Sequence, residues 1–581
     1  MRDLLDAPSS EEDVDYDSPQ QDRVGAHQGF IFGYSSLMVD LRELHPTPSQ
    51  IFILWEVFKE NVDPVVRILH RPTAKNILMN AASNLDRVSR AAEALLFAVY
   101  LGAVVSLSPE QCQQLLDESK ETLLHRYRFA TEQALARADF LNSSSLMCLQ
   151  ALVFFLIFVR HSDDSRTVWA LGGLAIRLGQ GLGVHRDGTH FNLNPFDTEM
   201  RRRLWWHISI LDNRSAEDHG TDSTLTEQLY DTKLPMNLND EDIYPEMKEW
   251  PTERQGATEM TFCLIRFELN IFNRKLNCTA PILDPSRTRE RTLQEKEQMI
   301  DACHKKIEDK YLRYCDMTLP IYWVSATVAR LILAKMWLMV HHPGSFRLVA
   351  DDGSALSSET KHRLFITSVE VIEFSHLLEE NENTAKWGWL FRTYMQWQSV
   401  AFVLSEICVR PPGPDVDRAW RAIESVYDER LNGNARNQRG MLWKPLRHLM
   451  AKARARRAAQ NLDTTGATAT AQSQDSLSLD RWMQDLPRAN TLSPTMEPQG
   501  LDFDSDLARV SQRVEGKTGV VHEQNSSRQS SSRPTWGSPE QISPPSTDLL
   551  NFACWTPSVG DFHVAPEPMQ QFFINLQQEW F

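Results

Sequence analysis

The chain has 581 residues, of which 42% are hydrophobic and 24% are charged, an ordinary composition for a globular protein. Because this length exceeds what one compact core usually serves, it predicts a large folded body with additional segments. The formal net charge of −16 excludes a surface that lies as a whole against a phosphate backbone. Any contact with nucleic acid must therefore come from a local element or from a partner.

Composition divides the chain into three parts. Residues 1–29 are dominated by Asp, Glu, Ser and Gln, which predicts an acidic, disordered N-terminus. Residues 30–459 alternate helical apolar periodicity with short polar breaks and lack strand-like alternation, so we expect a large all-α body. Residues 460–581 are rich in Ser, Gln, Pro and Asp and sparse in apolar side chains, which predicts a disordered tail.

The first strongly helical stretch, RAAEALLFAVYLGAVVSL, is predicted to end near Ser106. Ser108 then caps a second helix, with Pro109 at its first helical position. The apolar residues of this second helix keep their helical spacing, so we expect it to continue unbroken to about residue 141. A polar break at 142–145 precedes a third helix that starts at Leu146.

No segment predicts contact with a membrane. The two most apolar runs, from Ala94 and from Leu146, are shorter than the roughly 20 residues that cross a bilayer. The N-terminus is acidic and lacks the apolar stretch of a secretory leader. We therefore expect buried core helices in a soluble protein.

Later stretches repeat the helical pattern. One helix that includes SATVARLILAKMWLMV is predicted to stop at Pro343-Gly344, and another covers residues 363–380. The stretch WLFRTYMQWQSVAFVLSEICVR is predicted to form one helix, which the prolines at 411, 412 and 414 terminate.

The eight cysteines are scattered, and no two have the short separation that is typical of a structural zinc site. The closest grouping is Cys303 and Cys315 with His304. We interpret the cysteines as reduced, mostly buried thiols of a cytosolic or nuclear protein, and we expect the chain to hold no metal or other cofactor.

Three segments follow one another in the middle of the chain: GGLAIRLGQGLGVHRDG from Gly172, DTEMRRRLWWHISILDNRSAEDHG from Asp197, and DTKLPMNLNDEDI from Asp231. In their order and spacing they resemble the middle homology region of the fungal zinc-cluster transcription factors. The resemblance extends over residues 91–243, and more loosely to about Pro414. The matching positions are Gly183, His185, Arg186, Arg201, Arg202, Arg203, Trp205, Trp206, Leu211, Asp212, Leu234, Pro235, Asn239 and Asp240.

The physical chemistry of these segments favours architecture over a site. We expect Asp197 and Thr198 to cap a helix on which Trp205 packs into the core. Asp212 is predicted to pair with Arg214 or with an arginine of the preceding helix. We predict no catalytic, cofactor-binding or metal-binding residue.

The arginine triplet and the turn before it each leave two interpretations. Arg201, Arg202 and Arg203 fan around a helix, which favours a solvated or salt-bridged face over a phosphate contact. His185 fits a polar turn residue at a helix C-terminus better than a metal ligand or a base. Gly181 and Gly183 follow a helix, so they are interpreted as C-cap glycines and not as a phosphate-binding loop.

The resemblance implies a six-cysteine zinc cluster that would bind DNA, and the sequence departs from the family here because it has no such cluster. Two explanations stay open: a first exon missing from the gene assignment, or a regulator that acts through a partner. Zinc is expected only if such a cluster exists. The chain alone gives no support for direct DNA contact.

Two segments outside the motif suggest partners. Lys452, Arg454, Arg456 and Arg457 form a basic cluster, which is either a nuclear-import signal or a solvated helix end. Residues 548–581 mix acidic and bulky apolar side chains, with Phe572, Phe573, Leu576 and Trp580 on one helical face. Such a segment is typical of a transcriptional activation region that docks on a coactivator, although it could also pack against its own body.

The preferred hypothesis is a nuclear transcription regulator, and the resemblance implies control of a fungal metabolic or secondary-metabolite gene cluster. The alternative is a helical interaction protein without DNA binding, which modulates an intact zinc-cluster relative by heterodimerisation. A homodimer is also possible. The motifs of hydrolases, P-loop proteins, zinc proteases and kinases are absent from the sequence, so an enzyme is the weakest of the three hypotheses.

Overall fold

The regular elements of the described chain are helices, without a strand among them. The structure is a computed structural model that describes residues 40–160, 165–219, 221, 223–277, 292–341, 358–392, 396–432 and 443–465. The prediction of an all-α body is confirmed for these residues. The predictions for residues 1–29, for the tail beyond 465 and for the stop at Pro343-Gly344 lie outside them.

We number the described α-helices in chain order. They are α1 Pro48–Asn61, α2 Arg71–Ser83, α3 Arg90–Ser106, α4 Pro109–Leu116, α5 Lys120–Arg137, α6 Leu146–Val159, α7 Ser165–Gly181, α8 Pro195–His219, α9 Thr261–Asn277, α10 Leu293–Lys310, α11 Pro320–His341, α12 Ser358–Glu380, α13 Ala385–Phe391, α14 Trp397–Val409, α15 Pro414–Asn432 and α16 Trp443–Thr465. Short 3-10 turns occur between them, including one at Asp240–Asp242.

Helix α3 lies at the centre of the N-terminal half, where it packs against α1, α5 and α6. It is apolar around its whole circumference, which is typical of a helix that other segments enclose on all sides. It ends at Ser106, and Ser108 caps α4 by accepting a hydrogen bond from the Gln111 N–H at 3.1 Å, with Pro109 at the first position. These predicted boundaries are confirmed, as is the start of α6 at Leu146.

The prediction of one unbroken helix from Pro109 to about residue 141 is wrong. Helix α4 ends where Asp117 adopts a left-handed conformation (φ 64°), which an α-helix cannot accommodate. Ser119 then caps α5 and accepts a hydrogen bond from the Thr122 N–H at 3.2 Å. Asp117 and Ser119 therefore interrupt the helix, although the apolar periodicity continues on both sides of the break.

The predicted single helix from Trp389 to Arg410 is also divided. Helix α13 ends at Phe391 and α14 begins at Trp397, and residues 393–395 between them lie outside the described chain. The predicted end of this region before the prolines is confirmed, because α14 stops at Val409.

Helix α11 is long and apolar enough to cross a membrane by length and composition alone. Two thirds of its most apolar window is buried, however, because α11 packs against α9, α10 and α12. Enclosure by neighbouring helices accounts for its composition.

Candidate functional site: the motif region and the basic helix

The first motif segment ends α7 in a glycine turn. Gly183 has a φ of 71°, and its N–H donates to the carbonyl of Gln180 at 3.0 Å while the Val184 N–H donates to Gly179 at 3.0 Å. This pair of bonds is the Schellman arrangement that closes a helix C-terminus. The interpretation of Gly183 as a C-cap glycine is confirmed, whereas Gly181 is the last helical residue and keeps a negative φ.

The second segment forms α8, but its cap differs from the prediction. The side chain of Asn194, and not Asp197 or Thr198, caps this helix: its Oδ1 accepts a hydrogen bond from the Asp197 N–H at 2.7 Å. Pro195 occupies the first helical position, where a missing N–H costs nothing. Asp197 lies in the first turn, where its charge suits the positive end of the helix dipole.

Asp187 joins the three motif segments to one another. Its carboxylate accepts two hydrogen bonds from Arg202 of α8, at 2.8 and 3.0 Å, and a third from the backbone N–H of Lys233 at 3.0 Å. Burial raises the pKa of Asp187, but the bonds from Arg202, Thr189 and Lys233 outweigh it and hold the pKa well below its usual range. Asp187 is therefore a buried carboxylate with its charge compensated.

The third segment runs beside the glycine turn and is bonded to it on both sides. The Asp231 carboxylate accepts a bond from the Asp187 N–H at 2.8 Å and lies 2.8 Å from Arg186 Nε. The Asp231 N–H donates to the His185 carbonyl at 3.1 Å, and the Thr232 hydroxyl donates to the Val184 carbonyl at 2.8 Å. The order of segments in the sequence is thus also a contiguous piece of structure.

His185 is a turn residue, as predicted, but its surroundings disfavour the cation that would stabilise the end of α7. Burial, followed by the neighbouring charge of Arg186, lowers its pKa below the usual value. Its ring lies 6.2 Å from the ring of Trp205, and Nδ1 is buried with no hydrogen-bond partner among the described residues. The ring therefore lies beside the core.

A group of seven charged side chains, which we call the ionic network, lies beside these contacts. Its members are Asp63, Arg67, Arg71, Glu199, Arg203, Asp240 and Glu259. Asp240 lies at its centre, because its carboxylate accepts hydrogen bonds from Arg203 Nη1 and from the Arg71 N–H, both at 2.8 Å, and lies 3.1 Å from Arg67 Nη2.

The outer carboxylates complete the pairing. Asp63 accepts hydrogen bonds from Arg67 at 2.8 Å and from Arg71 at 2.6 Å, and Glu259 accepts one from Arg71 at 2.9 Å and another from Arg67. Arg67 is completely buried, as an arginine can be only when its charge is compensated. The network thereby joins the connection before α2 to the loop that precedes α9.

On α8 the network continues through Arg203, which is also completely buried and bonds Glu199 at 3.3 Å. Burial raises the pKa of Glu199, and it raises that of Asp63 as well. At Asp240 burial acts in the same direction, but Arg203 and Arg67 outweigh it and hold the pKa well below its usual range. The charges of the network are thus engaged with one another, and only Arg71 and Glu259 among its members are partly exposed.

The arginine triplet follows the salt-bridged interpretation. Arg202 and Arg203 are buried in ion pairs, and half-buried Arg201 donates to the Leu182 carbonyl at 2.9 Å. Arg202 and Arg203 cannot reach a phosphate group without breaking these pairs. The core interpretation of the tryptophans is confirmed: Trp205 is completely buried, and Trp206 is buried with its Nε1 donating to the Lys233 carbonyl at 2.8 Å.

The predicted partner of Asp212 is wrong. Its ion pair is with Arg274 of α9, at 3.6 Å, and not with Arg214 or the preceding helix. The carboxylate also accepts hydrogen bonds from the N–H groups of Thr224 and Leu225, at 3.2 and 3.0 Å, and from the Ser223 hydroxyl. Asp212 therefore fixes the loop that follows α8 to the helix after it.

Within the part of the chain that the structure describes, no group of three His, Cys, Asp or Glu side chains could hold a metal ion. Cys303 is a buried free thiol whose pKa burial raises to about 12, and burial lowers the pKa of His304 to about 4. Cys112, Cys148 and Cys263 are also buried free thiols, as predicted, while Cys278 and Cys554 lie outside the described residues.

The basic cluster lies on α16. An apolar face of this helix is buried at Leu446, Leu449, Met450 and Ala453, which have helical spacing. Lys452, Arg454 and Arg456 are exposed outside this face. Arg457 is half-buried: its guanidinium lies over the ring of Trp420 and 3.6 Å from Asp417. A helix fixed by its apolar face thus presents a basic surface.

The known proteins that this chain resembles are fungal transcription factors. The fungal specific transcription factor domain matches residues 55–311. The aurofusarin cluster transcription factor of Gibberella zeae is 36% identical over 385 residues, which cover 66% of this chain and 57% of that protein. The pyriculol/pyriculariol biosynthesis cluster transcription factor 1 of Pyricularia oryzae is 30% identical over 460 residues, with 76% and 60% covered.

A more distant relative is a C6 finger domain transcription factor of Aspergillus fumigatus, 28% identical over 397 residues, with 61% of this chain and 51% of that protein covered. The chain thus spans between one half and three fifths of the length of these relatives. The domain match contains the three motif segments, the ionic network and the whole of α8. The chain belongs to the proteins that carry a fungal specific transcription factor domain.

Proposed function

We propose that the protein is a transcription regulator of a fungal biosynthetic gene cluster, with the helical body as its regulatory domain. One observation carries the proposal: over about two thirds of the chain it resembles regulators that are named after such clusters. The sealed motif region supports a structural role for this body, because its buried charges are engaged in holding segments together. The resemblance to regulators and the pairing of the buried charges also support a protein without catalytic activity.

Deletion of the gene in its native host tests this proposal. Transcripts of one contiguous group of biosynthetic genes should change by at least severalfold, and a reintroduced wild-type copy should restore them. Unchanged transcripts in a condition where the regulator itself is expressed would contradict the proposal. The sign of the change distinguishes an activator from a repressor.

The source of DNA specificity separates two versions of the proposal. The sequence contains no group of six closely spaced cysteines, so we propose that DNA is bound by residues outside these 581. A zinc cluster encoded upstream would place them on the same protein, whereas a zinc-cluster relative that copurifies with this chain would place them on a partner. Sequencing full-length transcripts and identifying copurified proteins distinguishes the two versions.

Nuclear import through α16 is the proposed route to the genes, because Lys452, Arg454 and Arg456 are exposed close together on a helix whose apolar face is buried. Replacing Lys452, Arg454 and Arg456 by alanine should move a fluorescent fusion from the nucleus to the cytoplasm. A matched control removes the same charge from dispersed exposed positions, Lys75, Lys305 and Lys386. If both variants divide in the same way between nucleus and cytoplasm, the basic cluster of α16 is not the nuclear-import signal.

Coactivator recruitment by residues 548–581 stays a proposal, because this segment lies outside the described residues. Fused to a foreign DNA-binding domain, it should activate a reporter. Replacement of Phe573 and Trp580 by alanine should abolish the activation, while replacement of Gln577 and Gln578 should not. A fusion that is silent in every form would exclude the segment as an activation region.

A further inference from the structure

A cavity opens between α8, α9, α11, α12 and α13, near the C-terminal end of α8. Its enclosed part holds about 100 Å³, within about 890 Å³ of empty space that includes the opening to solvent. An apolar cavity of about 150 Å³ binds benzene, so the enclosed part takes roughly one ring of a ligand, and the rest of a larger ligand would lie in the opening. Its wall is mainly apolar and includes Leu269, Leu331, Ile332, Met336, Met339 and Leu378.

Charged side chains occupy one part of this wall. Lys335 of α11 lies 3.4 Å from the carboxylate of Glu217, and Arg214 bonds the same carboxylate. One lining carboxylate is thus shared by two lining cations. Burial lowers the pKa of Lys335. At Glu217 burial raises the pKa, but Arg214 and Lys335 outweigh it and lower the pKa to about 2.

A second polar feature of the wall is the hydroxyl group of Ser375 on α12. Its oxygen is buried and has no hydrogen-bond partner among the described residues. A buried hydroxyl without a partner is unfavourable, so a ligand that satisfies it gains affinity. The ammonium group of Lys335 shares the carboxylate of Glu217 with Arg214, and the hydroxyl group of Ser375 has no partner among the described residues. Both groups therefore favour a ligand that carries a hydrogen-bond acceptor.

We propose that this cavity binds a small organic anion, with its apolar carbon skeleton against α9 and α11 and its carboxylate or phenolate group at Lys335 and Ser375. The mainly apolar wall favours such a ligand over a strongly hydrated ion such as free phosphate, which would give up most of its water shell on entering. Binding goes beyond the proposed regulatory function and can be measured whether or not that function is correct.

Two dyes of similar shape test the proposal on the purified full chain. 8-Anilinonaphthalene-1-sulfonate is anionic, whereas N-phenyl-1-naphthylamine has a closely similar skeleton without the charge. Both should bind saturably at one site in a fluorescence titration, the anionic dye more tightly. Lys335→Met should weaken binding of the anionic dye by roughly tenfold or more, as loss of a charged hydrogen bond does, and leave the neutral dye unchanged.

Matched variants locate the site. Lys75→Met, which removes an exposed lysine of α2, should change neither titration, and Lys335→Arg should preserve the preference for the anionic dye. Ile332→Trp places a large ring in the cavity and should weaken both dyes by at least tenfold, with the cooperative melting of the protein retained. The proposal is overturned if Ile332→Trp binds both dyes like the wild type, or if Lys335→Met and Lys335→Arg weaken both dyes equally.

Discussion

Helix α8 carries two charged clusters that behave in opposite ways. Near its N-terminal end, Glu199 and Arg203 belong to the ionic network, in which completely buried arginines lie between carboxylates. Near its C-terminal end, Arg214 and Glu217 border an open cavity with an apolar wall. In the sequence both clusters are charged residues on one helix. The first cluster is enclosed by other segments and acts as a structural joint. The second cluster borders the cavity, where a ligand can reach it.

The largest effect should follow from opening the ionic network. Arg203→Met leaves Asp240 and Glu199 buried without one of their counter-charges, which should lower the free energy of unfolding by about 3–5 kcal/mol. Chemical denaturation of the purified chain measures this. Arg254→Met is the matched control, because Arg254 also pairs with two carboxylates but is largely exposed.

Loss of the exposed pairs of Arg254 should change the free energy of unfolding little, because water and salt screen exposed charges. If Arg203→Met and Arg254→Met lower stability equally, the buried network is not the structural joint described above.

A second prediction concerns a buried carboxyl group on α12, outside both clusters. Glu370 of α12 is buried, with an oxygen that has no hydrogen-bond partner among the described residues, and burial raises its pKa to about 8 despite the nearby charge of Arg418. In the unfolded chain this carboxyl group ionises near its ordinary pKa of 4.5. Its contribution to stability is therefore fully present below pH 4.5 and is lost as the pH rises to about 8.

The variant Glu370→Gln cannot ionise, so it should match the wild type near pH 4.5 and exceed its stability at pH 8, by on the order of 3 kcal/mol. Thermal melts of both proteins across this interval measure the difference. A difference that does not depend on pH would show that Glu370 keeps an ordinary pKa.

A smaller effect concerns the turn that begins the motif region. Gly183→Ala forces a side chain into the left-handed region and should cost about 1–2 kcal/mol. Gly181→Ala, two residues earlier, meets no atom within 4 Å and should be neutral or stabilising by up to about 1 kcal/mol. Denaturation midpoints of the two variants compare them. Equal midpoints would exclude a strained turn at Gly183.

Much of the fold could be predicted, because helical periodicity and caps are local signals. The end of α3, the Ser108 cap and the C-cap at Gly183 all depend on residues within one turn of the chain. Local signals also account for the errors. Asp197-Thr198 resembles a cap as closely as Asn194 does, and the apolar spacing after Pro109 conceals the break at Asp117.

The charged partners could not be predicted, because they come together from distant parts of the chain. Arg67 meets Glu259 across 192 positions, and Asp212 pairs with Arg274 on another helix. Two pairs with a spacing of four residues, Asp63 with Arg67 and Glu199 with Arg203, were the local signals of the network. A cavity has no signal at all in the sequence, since it is the space that five separate helices leave between them.

Hydrogen–deuterium exchange of the full chain, with and without saturating 8-anilinonaphthalene-1-sulfonate, tests the contrast between the two clusters most directly. Without the dye, amides of residues 199–206 should exchange more slowly than those of residues 328–339, since the ionic network encloses the first segment. With the dye, protection should increase in residues 328–339 and 375–378 and stay unchanged in 199–206. Protection that increases in 199–206 and not around the cavity would contradict the division of α8 into a sealed half and a ligand-binding half.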